Sequence, residues 1–248
     1  MLLKDRVAIV TGAATGIGEA IARLFASEGA HVHMFDKDPD GCRSVADEIV
    51  LHGGSAASVA GDVRDPAQVS SLVRSAVDRH GRVDILVNNA GIFPRRAFLE
   101  MSERDWDEMQ DVNLKSMFHT SQAVLPHMIP QQSGKIVNIS SVTFHLGVSG
   151  LTHYVASKGG VVGLTRSLAR EMGPHNIHVN CVTPGAIHTK TEANFVSPEQ
   201  VQIFVESQSL RRRIEPLDVA RVCLFLSCEL SDGMTGQILN VDGGWAMH

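Results

Sequence analysis

The stretch "TGAATGIG", residues 11–18, joins an apolar run to a segment with helical spacing. The run before it, "RVAIVTG" (6–12), is short and rich in β-branched residues, which predicts a buried strand. The segment after it, "IGEAIARLFASEGA" (17–30), has apolar residues three and four positions apart and reaches Gly29, which predicts a helix that stops there. A glycine-rich turn between a buried strand and a helix is typical of a dinucleotide-binding α/β unit.

The glycines of this turn, Gly12, Gly16 and Gly18, have the spacing G-x-x-x-G-x-G, a variant of the usual dinucleotide fingerprint. Glycine lets the backbone turn sharply and approach a pyrophosphate, and the helix N-terminus offers free N–H groups and a partial positive charge. Thr15 and Ile17 belong to the same predicted cofactor loop. An ordinary strand–helix turn also fits these residues, so the motif alone leaves both interpretations open.

The rest of the chain continues the alternation of strands and helices. The predicted strands are residues 6–12, 31–36, about 55–60, 83–88, 135–140, 177–182 and 237–244. The predicted helices are residues 17–30, about 40–52, about 66–80, about 103–129, about 153–172 and about 217–228. Such alternation predicts an α/β fold with a doubly wound parallel sheet and helices on both faces. Residues 1–248 are predicted to form one domain, with a mobile or partly helical excursion at 186–215.

The composition points to an ordinary globular chain without a basic surface for nucleic acid. It is 44% hydrophobic and 20% charged, and its formal net charge is −5. No apolar run reaches the roughly 20 residues of a membrane helix. Four cysteines without a CxxC pair favour a reduced, cytoplasmic protein. His31 and His33 share one face of a strand, but no Cys or carboxylate joins them, and no metal site is predicted.

An acidic residue, Asp36, ends the second predicted strand, 18 positions after Gly18. A carboxylate at this place accepts hydrogen bonds from the adenosine ribose of NAD and repels the 2′-phosphate of NADP. The glycine loop contains no Arg or Lys to offset that repulsion, although Lys37 follows directly. We therefore predict NAD as the cofactor, while an exposed turn residue at the strand end is the alternative.

The sequence "YVASK" (154–158) places the only tyrosine of the chain four residues before a lysine. Residues four apart share one face of a helix, so Tyr154 and Lys158 can reach the same point in a cleft. A free tyrosine has a pKa near 10, and a neighbouring cation favours the phenolate. We therefore predict that Lys158, together with the positive nicotinamide of NAD+, lowers the pKa of Tyr154 and makes it an acid/base at neutral pH. A tyrosine that only packs in the core is the alternative.

Four motifs in this order resemble the short-chain dehydrogenase/reductase family: "TGAATGIG", "NNAG" (88–91), "YVASK" and "PGAIHT" (184–189). The similarity covers nearly the whole chain and includes the C-terminal "NVDGG". The resemblance implies a Rossmann fold of seven parallel strands, a nicotinamide cofactor and a homotetramer. It also implies the catalytic set Asn113, Ser141, Tyr154 and Lys158.

The resemblance further implies what each site residue does. Ser141 would hydrogen-bond the reacting oxygen, Lys158 would hold the nicotinamide ribose, and Asn113 would hold a water that relays protons. The cofactor contacts implied beyond the glycine turn are Asp62 and Val63 near the adenine, Asn89, Ala90 and Gly91 along the ribose side, and Pro184, Gly185, Ile187 and Thr189 around the nicotinamide.

Three stretches are expected to line the substrate side: 92–96, 142–153 and the excursion. The candidate substrate residues are Phe93, Phe144, His145, Leu151, His153 and Phe195. These mostly apolar walls favour an apolar or aromatic ketone or alcohol. The two histidines either orient a polar group or are partly exposed loop residues. "GIFP", "THY" and "TKTEA" (189–193) are similar to the 1-phenylethanol dehydrogenase branch of the family.

Three functions compete at this point. The first is an NAD-dependent dehydrogenase that interconverts a hydrophobic secondary alcohol and a ketone. The second is a 3-oxoacyl reductase for acyl carrier protein or CoA substrates, in which Arg95, Arg96 and the run "RRR" (211–213) dock the carrier. Such reductases usually use NADPH, so Asp36 opposes this function. The third is a dinucleotide sensor without catalysis, which would need no intact acid/base set.

Overall fold

A computed structural model describes residues 1–189, 192 and 196–247. Seven strands form one sheet in the order β3-β2-β1-β4-β5-β6-β7, and all neighbouring strands are parallel. The strands are β1 (Val7–Thr11), β2 (His31–Asp36), β3 (Ser55–Ala60), β4 (Ile85–Asn88), β5 (Gly134–Ile139), β6 (Ile177–Pro184) and β7 (Ile238–Val241). The predicted doubly wound α/β sheet of Rossmann type is confirmed.

Helices cover both faces of the sheet. They are α1 (Gly16–Ser27), α2 (Pro39–Leu51), α3 (Pro66–His80), α4 (Glu103–Gln110), α5 (Ser116–Gln131), α6 (Thr143–Leu146), α7 (Thr152–Met172), α8 (Pro198–Ser207) and α9 (Pro216–Ser227). One core cluster contains Phe25 of α1 and Cys223 of α9, and a second, on the other face, contains Leu72 of α3 and Met128 of α5. Because both faces are covered, strands such as β1 and β4 are buried along their whole length.

The long predicted helix at 103–129 is not a single α-helix. A π-helical turn, Asp111–Lys115, separates α4 from α5. A π-turn inserts a residue into the helical hydrogen-bond ladder, and such turns occur often at functional sites. The π-turn was not predicted from the sequence, because no local residue pattern indicates it.

The other boundaries differ from the prediction by a few residues. β4 begins at Ile85 and β6 continues to Pro184. The predicted strand 237–244 was too long, because β7 stops at Val241 and Gly243 and Gly244 have φ of +67° and +76°. Such positive φ values lie outside the β region and end the strand.

The predicted excursion at 186–215 contains a ten-residue helix, α8, and returns to the sheet by backbone contacts. Ile187 forms an isolated parallel bridge with Ile214, and the N–H of Leu210 donates to the carbonyl of Gly243 at 2.9 Å. These contacts place the two ends of the segment beside the carboxyl end of β6.

All four cysteines are free and buried, and Cys223 and Cys228 belong to the core cluster that contains Phe25. Within the part of the chain that the structure describes, no helix is both long and apolar enough to cross a bilayer. In the same residues, no group of three or more His, Cys, Asp or Glu could hold a metal ion.

Three histidines meet between β2 and α3. The rings of His31 and His80 stack with centroids 4.5 Å apart, and the His33 ring meets the His80 ring edge-on at 5.3 Å. Burial, helped by repulsion from His80, Arg79 and His31, lowers the pKa of His33 to about 4. The folded protein therefore favours the neutral form of His33, which stabilises the fold above pH 6.5. This stabilisation is lost as the pH falls from 6.5 towards 4.

We predict that His33→Leu makes the fold less sensitive to acid. Between pH 7.5 and 5.0 the wild type should lose roughly 2 kcal/mol of unfolding free energy through this one residue. Urea denaturation at both pH values measures the loss, which should be smaller by that amount in the variant. The exposed His52 provides the control, since His52→Gln should behave as the wild type. An equal loss in His33→Leu and the wild type would contradict this account.

Candidate active site

The glycine turn is so closely packed that it tolerates no side chains at two positions. Gly12 has φ of +65°, and a Cβ there would lie 2.8 Å from the Cα of Ala90. A Cβ at Gly18 would lie only 2.0 Å from the carbonyl oxygen of Gly12. The turn thus presents bare backbone to the crevice, as close approach to a pyrophosphate requires.

The N-terminus of α1 points its free N–H groups into this turn. Thr15 is the exposed N-cap residue, and within the described residues its side chain forms no capping hydrogen bond. Ile17 packs against the core on the other side of the helix. The uncapped N–H groups and the helix dipole leave room for an anion at this end, so the cradle fits the phosphates of a dinucleotide.

The carboxylate of Asp36 lies beside the glycine turn at the end of β2. One oxygen accepts a hydrogen bond from the N–H of Ala14 at 2.9 Å, and the other accepts from the N–H of Asp38 at 3.0 Å. Both partners are backbone groups, so the carboxylate is held in place while its negative charge is not neutralised by them.

Asp62 and Val63, predicted near the adenine, follow the end of β3. Arg64 binds the Asp62 carboxylate at 2.6 Å and holds the pKa of that carboxyl below its usual range. Val63 is buried. The Asp62 carboxylate is therefore engaged by Arg64 in this structure, and Val63 packs within the core cluster that lies against α3.

The "NNAG" stretch is tied to the end of β1. The N–H groups of Asn89 and Ala90 donate to the hydroxyl of Thr11 at 3.0 and 3.1 Å. The side-chain amide of Asn89 donates to the carbonyls of Thr11 and Gly12, each at 3.0 Å. This network fixes the glycine turn against the segment that follows β4.

Asn113 lies in the π-turn and is completely buried. Its side chain exchanges two hydrogen bonds with the backbone of Ile92, at 2.8 and 2.9 Å. Its amide also lies 3.3 Å from the Ser157 hydroxyl on α7. A Cβ at Gly91 would lie 3.2 Å from the Asn113 oxygen and 3.6 Å from the Lys158 ammonium, so Gly91 brings these two groups beside the open cleft.

Tyr154, Lys158 and Ser141 meet between β5 and α7. The Lys158 ammonium lies 5.6 Å from the centroid of the Tyr154 ring and donates to the carbonyl of Ile139 at 2.9 Å. The Ser141 hydroxyl accepts hydrogen bonds from the backbone N–H and the hydroxyl of Thr143. The structure thus brings all four predicted catalytic residues to the carboxyl ends of β4 and β5.

In the protein chain by itself, the pKa of Tyr154 is raised, whereas the predicted lowering involves a bound NAD+ as well as Lys158. Burial raises the pKa of Tyr154, and a hydrogen bond with Ser141 opposes this only in part. Burial also lowers the pKa of Lys158 to about 8. This value still favours the protonated ammonium at pH 7. The sequence could not predict whether the pKa of Tyr154 is raised or lowered in the chain alone. The direction of the shift depends on how deeply Tyr154 and Lys158 are buried.

The residues predicted around the nicotinamide follow β6. The N–H of Gly185 donates to the carbonyl of Val241, and Ile187 is buried beside Ile214. Thr189 reaches back to the glycine turn, where a Cβ at Gly16 would lie 3.3 Å from its methyl group. Pro184 is the last residue of β6.

The predicted substrate residues divide into exposed and buried ones. Phe93 is 39% exposed and its ring meets the Tyr154 ring edge-on at 6.5 Å, while Phe144 is 36% exposed and its ring lies 4.7 Å from that of the partly buried His145. The structure therefore leaves two aromatic rings open to solvent on the predicted substrate side.

The other two predicted substrate residues, His153 and Leu151, are buried, and their place in the lining of the cleft stays a prediction. His153 lies in the first turn of α7 with no exposed surface, and Leu151 is the N-cap residue of that helix and 6% exposed. Asp105 of α4 is the charged neighbour of His153, and burial lowers the pKa of its imidazole. Phe195 lies outside the described residues.

Comparisons with known proteins agree with this geometry. A family model described as enoyl-(acyl carrier protein) reductase matches residues 12–246. The chain is a short-chain dehydrogenase/reductase. It is 41% identical over 245 residues to the 3-oxoacyl-(acyl-carrier-protein) reductase FabG of Thermotoga maritima, covering 98% of this chain and 99% of the relative. It is 42% identical over 245 residues to BbsD of Thauera aromatica, a subunit of a hydroxy(phenyl)methylsuccinyl-CoA dehydrogenase, covering 98% of each.

Among solved structures, levodione reductase superposes with a TM-score of 0.93 at 31% identity and 97% coverage of each chain. This short-chain dehydrogenase/reductase is thus an oxidoreductase, and proteins of the family use nicotinamide dinucleotides and act on small molecules. The predicted family and the oxidoreductase class are confirmed.

Three residues of this dehydrogenase/reductase site were missed from the sequence. Thr143 orients the Ser141 hydroxyl, and Ser157 contacts the Asn113 amide. Ile92 supplies both backbone partners of Asn113. Thr143 stands two residues after Ser141, so it could have been found. The other two become visible only when α7 and the segment after β4 are folded together.

Proposed function

We propose that this protein is an NAD(H)-dependent oxidoreductase that interconverts an apolar or aromatic secondary alcohol and the corresponding ketone. The observation that carries the choice of NAD is the Asp36 carboxylate, held by two backbone N–H groups beside the glycine turn. A 2′-phosphate at the adenosine ribose would meet this negative charge, whereas the two hydroxyls of NAD can donate hydrogen bonds to it.

The acid/base chemistry is assigned to the Tyr154 hydroxyl. A bound nicotinamide supplies the hydride donor or acceptor and, in its oxidised form, a positive charge in the cleft. Because burial raises the pKa of Tyr154, its proton is retained at neutral pH and is available to a ketone oxygen. In the oxidation direction, Tyr154 takes the alcohol proton, and Ser141 hydrogen-bonds the same oxygen. Lys158 and Asn113 would hold the nicotinamide ribose and a relay water.

The walls of the cleft favour an apolar substrate. The exposed ring of Phe93 approaches the Tyr154 ring, and the exposed ring of Phe144 lies on α6, next to the catalytic Ser141 segment. Aromatic rings at the mouth of a site bind an apolar or aromatic group by burying its surface. A hydrophobic ketone therefore suits this cleft better than a free sugar does.

A 3-oxoacyl thioester reductase is the second candidate, because relatives named for acyl-carrier and CoA substrates are 41% and 42% identical to this chain. The arginines expected to dock the carrier are largely engaged. Arg212 pairs with Asp218, Arg213 pairs with Glu192, and Arg96 lies 3.8 Å from Asp105. The guanidinium groups of Arg95 and Arg211 donate to backbone carbonyls, which hold these side chains in place without neutralising their charge.

The third function, a dinucleotide sensor without catalysis, is not supported, because the chain belongs to the oxidoreductase class. A homotetramer and a cytoplasmic location stay predictions. The exposed Phe118 on α5, 48% accessible, supports a partner surface on that helix.

Tyr154→Phe tests the acid/base assignment. The variant removes only the hydroxyl, so kcat should fall about a thousandfold, within the range typical of a lost proton donor. The dissociation constant for NADH, measured by nicotinamide fluorescence, should stay within about threefold of the wild type, because the ring remains. Near-wild-type turnover in Tyr154→Phe would show that another group transfers the proton.

Asp36→Asn tests the choice of cofactor. The wild type should prefer NAD to NADP by about a hundredfold in kcat/KM, since roughly 3 kcal/mol of repulsion is reasonable for a carboxylate and a phosphate a few ångströms apart. In Asp36→Asn the ratio should fall to about tenfold or less. Asp38→Asn is the matched control, because this nearby carboxylate caps α2 and its amide can do the same. A wild type that prefers NADP would refute the proposal.

The substrate class is tested by comparing acetophenone and 1-phenylethanol with acetoacetyl-CoA, each with both cofactors. We expect kcat/KM for the aryl ketone with NADH to exceed that for the thioester by at least about tenfold. The same ratio should persist in Arg95→Ala, since no carrier docks there. A tenfold preference for the thioester, lost in Arg95→Ala, would instead establish the second candidate.

A further inference from the structure

A largely buried ion pair closes the base of the segment between β6 and α9. The carboxylate of Glu192 binds the guanidinium of Arg213, and their side chains are 13% and 17% exposed. The contact joins residues 21 positions apart in the chain, so it closes a long loop. It therefore holds together two parts of the chain that local sequence does not connect.

Burying this ion pair has an unusually high cost in free energy. Within the part of the chain that the structure describes, the second carboxylate oxygen of Glu192 and the Nε and Nη1 atoms of Arg213 are buried without a hydrogen-bond partner. A half-satisfied buried pair contributes little net stability, because its desolvation offsets most of the attraction. The ion pair then matters mainly through the conformation of the chain that it stabilises.

That conformation centres on Thr189. The N–H of Glu192 donates to the Thr189 hydroxyl at 3.0 Å. On the other arm, Ile214 follows Arg213 directly, bridges to Ile187 and accepts a hydrogen bond from the N–H of His188 at 2.9 Å. The ion pair and these backbone contacts thus hold Thr189 from both sides.

Thr189 in turn stands against the glycine turn. A Cβ on Gly16 would be 3.3 Å from the Thr189 methyl group and 3.5 Å from its Cβ. Gly16 is the first residue of α1, whose free N–H groups form the anion cradle. Any movement of Thr189 therefore changes the space directly over the place where the dinucleotide phosphates fit.

We propose that the Glu192–Arg213 ion pair is a positioning latch that holds Thr189 over the glycine turn and slows dissociation of the dinucleotide. Neither side chain is a catalytic residue, since both act through Thr189. The latch concerns cofactor retention and holds for NAD or NADP alike, so it does not depend on the cofactor or substrate assigned above.

Arg213→Met tests the latch, with dinucleotide binding as the readout. The dissociation constant of the reduced dinucleotide, measured by nicotinamide fluorescence, should rise about tenfold, and stopped-flow displacement should show a faster dissociation rate. Glu192→Gln keeps the shape of the carboxylate and should give the same direction of change, so it decides the matter if Arg213→Met does not fold. Adding Thr189→Ala to Arg213→Met should cost little more, because the latch acts through Thr189.

Arg212→Met is the matched control. Arg212 is the neighbouring arginine and forms an ion pair with Asp218, but it is 52% exposed and does not contact Thr189 or Glu192 in the described residues. The dissociation constant of the reduced dinucleotide for Arg212→Met should stay within twofold of the wild-type value. A purely structural pair would lower the melting temperature of Arg213→Met and leave binding by the folded protein unchanged, which would overturn the proposal.

Measuring every variant with both NADH and NADPH separates this inference from the proposed function. A wild type that binds NADPH more tightly would contradict the choice of NAD and leave the latch intact. Arg213→Met and Glu192→Gln that both bind the preferred dinucleotide as tightly as the wild type would contradict the latch alone.

Discussion

The site depends on the hydrogen bonds that hold the end of β1 against the segment after β4. The strand order reverses between these two strands, so their connections leave on opposite faces and a crevice opens at their carboxyl ends. Thr11 and Asn89 cross this opening and fix the glycine turn with four hydrogen bonds near 3.0 Å. Because a buried hydrogen bond lost from one side leaves its partner unsatisfied, this contact is hard to loosen. The cofactor cradle and the catalytic cleft take their relative positions from it.

Burial then decides the chemistry of the cleft. Lys158 is almost completely buried, and a charged ammonium there is tolerated because it donates a hydrogen bond to the carbonyl of Ile139. The same burial raises the pKa of Tyr154, so the protein chain alone favours a protonated phenol, which in the proposed reaction delivers a proton to a ketone. Alcohol oxidation needs more positive charge in the cleft than Lys158 provides. On this basis the direction of proton transfer depends on the charge of the bound nicotinamide.

How much could be read from the sequence follows from the range of each interaction. The bounds of β1 and α1 were predicted within a few residues, and Asp36 was placed at the end of β2. Strand and helix periodicity and the glycine turn are local features of the sequence. The positions of Asn113, Ser141, Tyr154 and Lys158 came from their spacing within family motifs. The π-turn at Asn113 and the burial of His153 were not predicted, and both lie where α4 and the π-turn are hydrogen-bonded to α7. The rise in the pKa of Tyr154 in the chain without a dinucleotide could not be predicted either, because desolvation has no sequence signature.

The arginine run shows why charge in a sequence is weak evidence for a partner. In the sequence, a run of three arginines, Arg211 to Arg213, suggests a cationic patch that could attract an acidic carrier. In the fold, the three side chains separate: Arg212 pairs with Asp218 at the surface, Arg213 turns inward to Glu192, and Arg211 reaches a backbone carbonyl. A paired guanidinium presents little net field to a phosphate. Of the three residues that suggested docking, only Arg213 forms the buried ion pair with Glu192, so adjacent arginines in a sequence do not amount to one cationic surface in the fold.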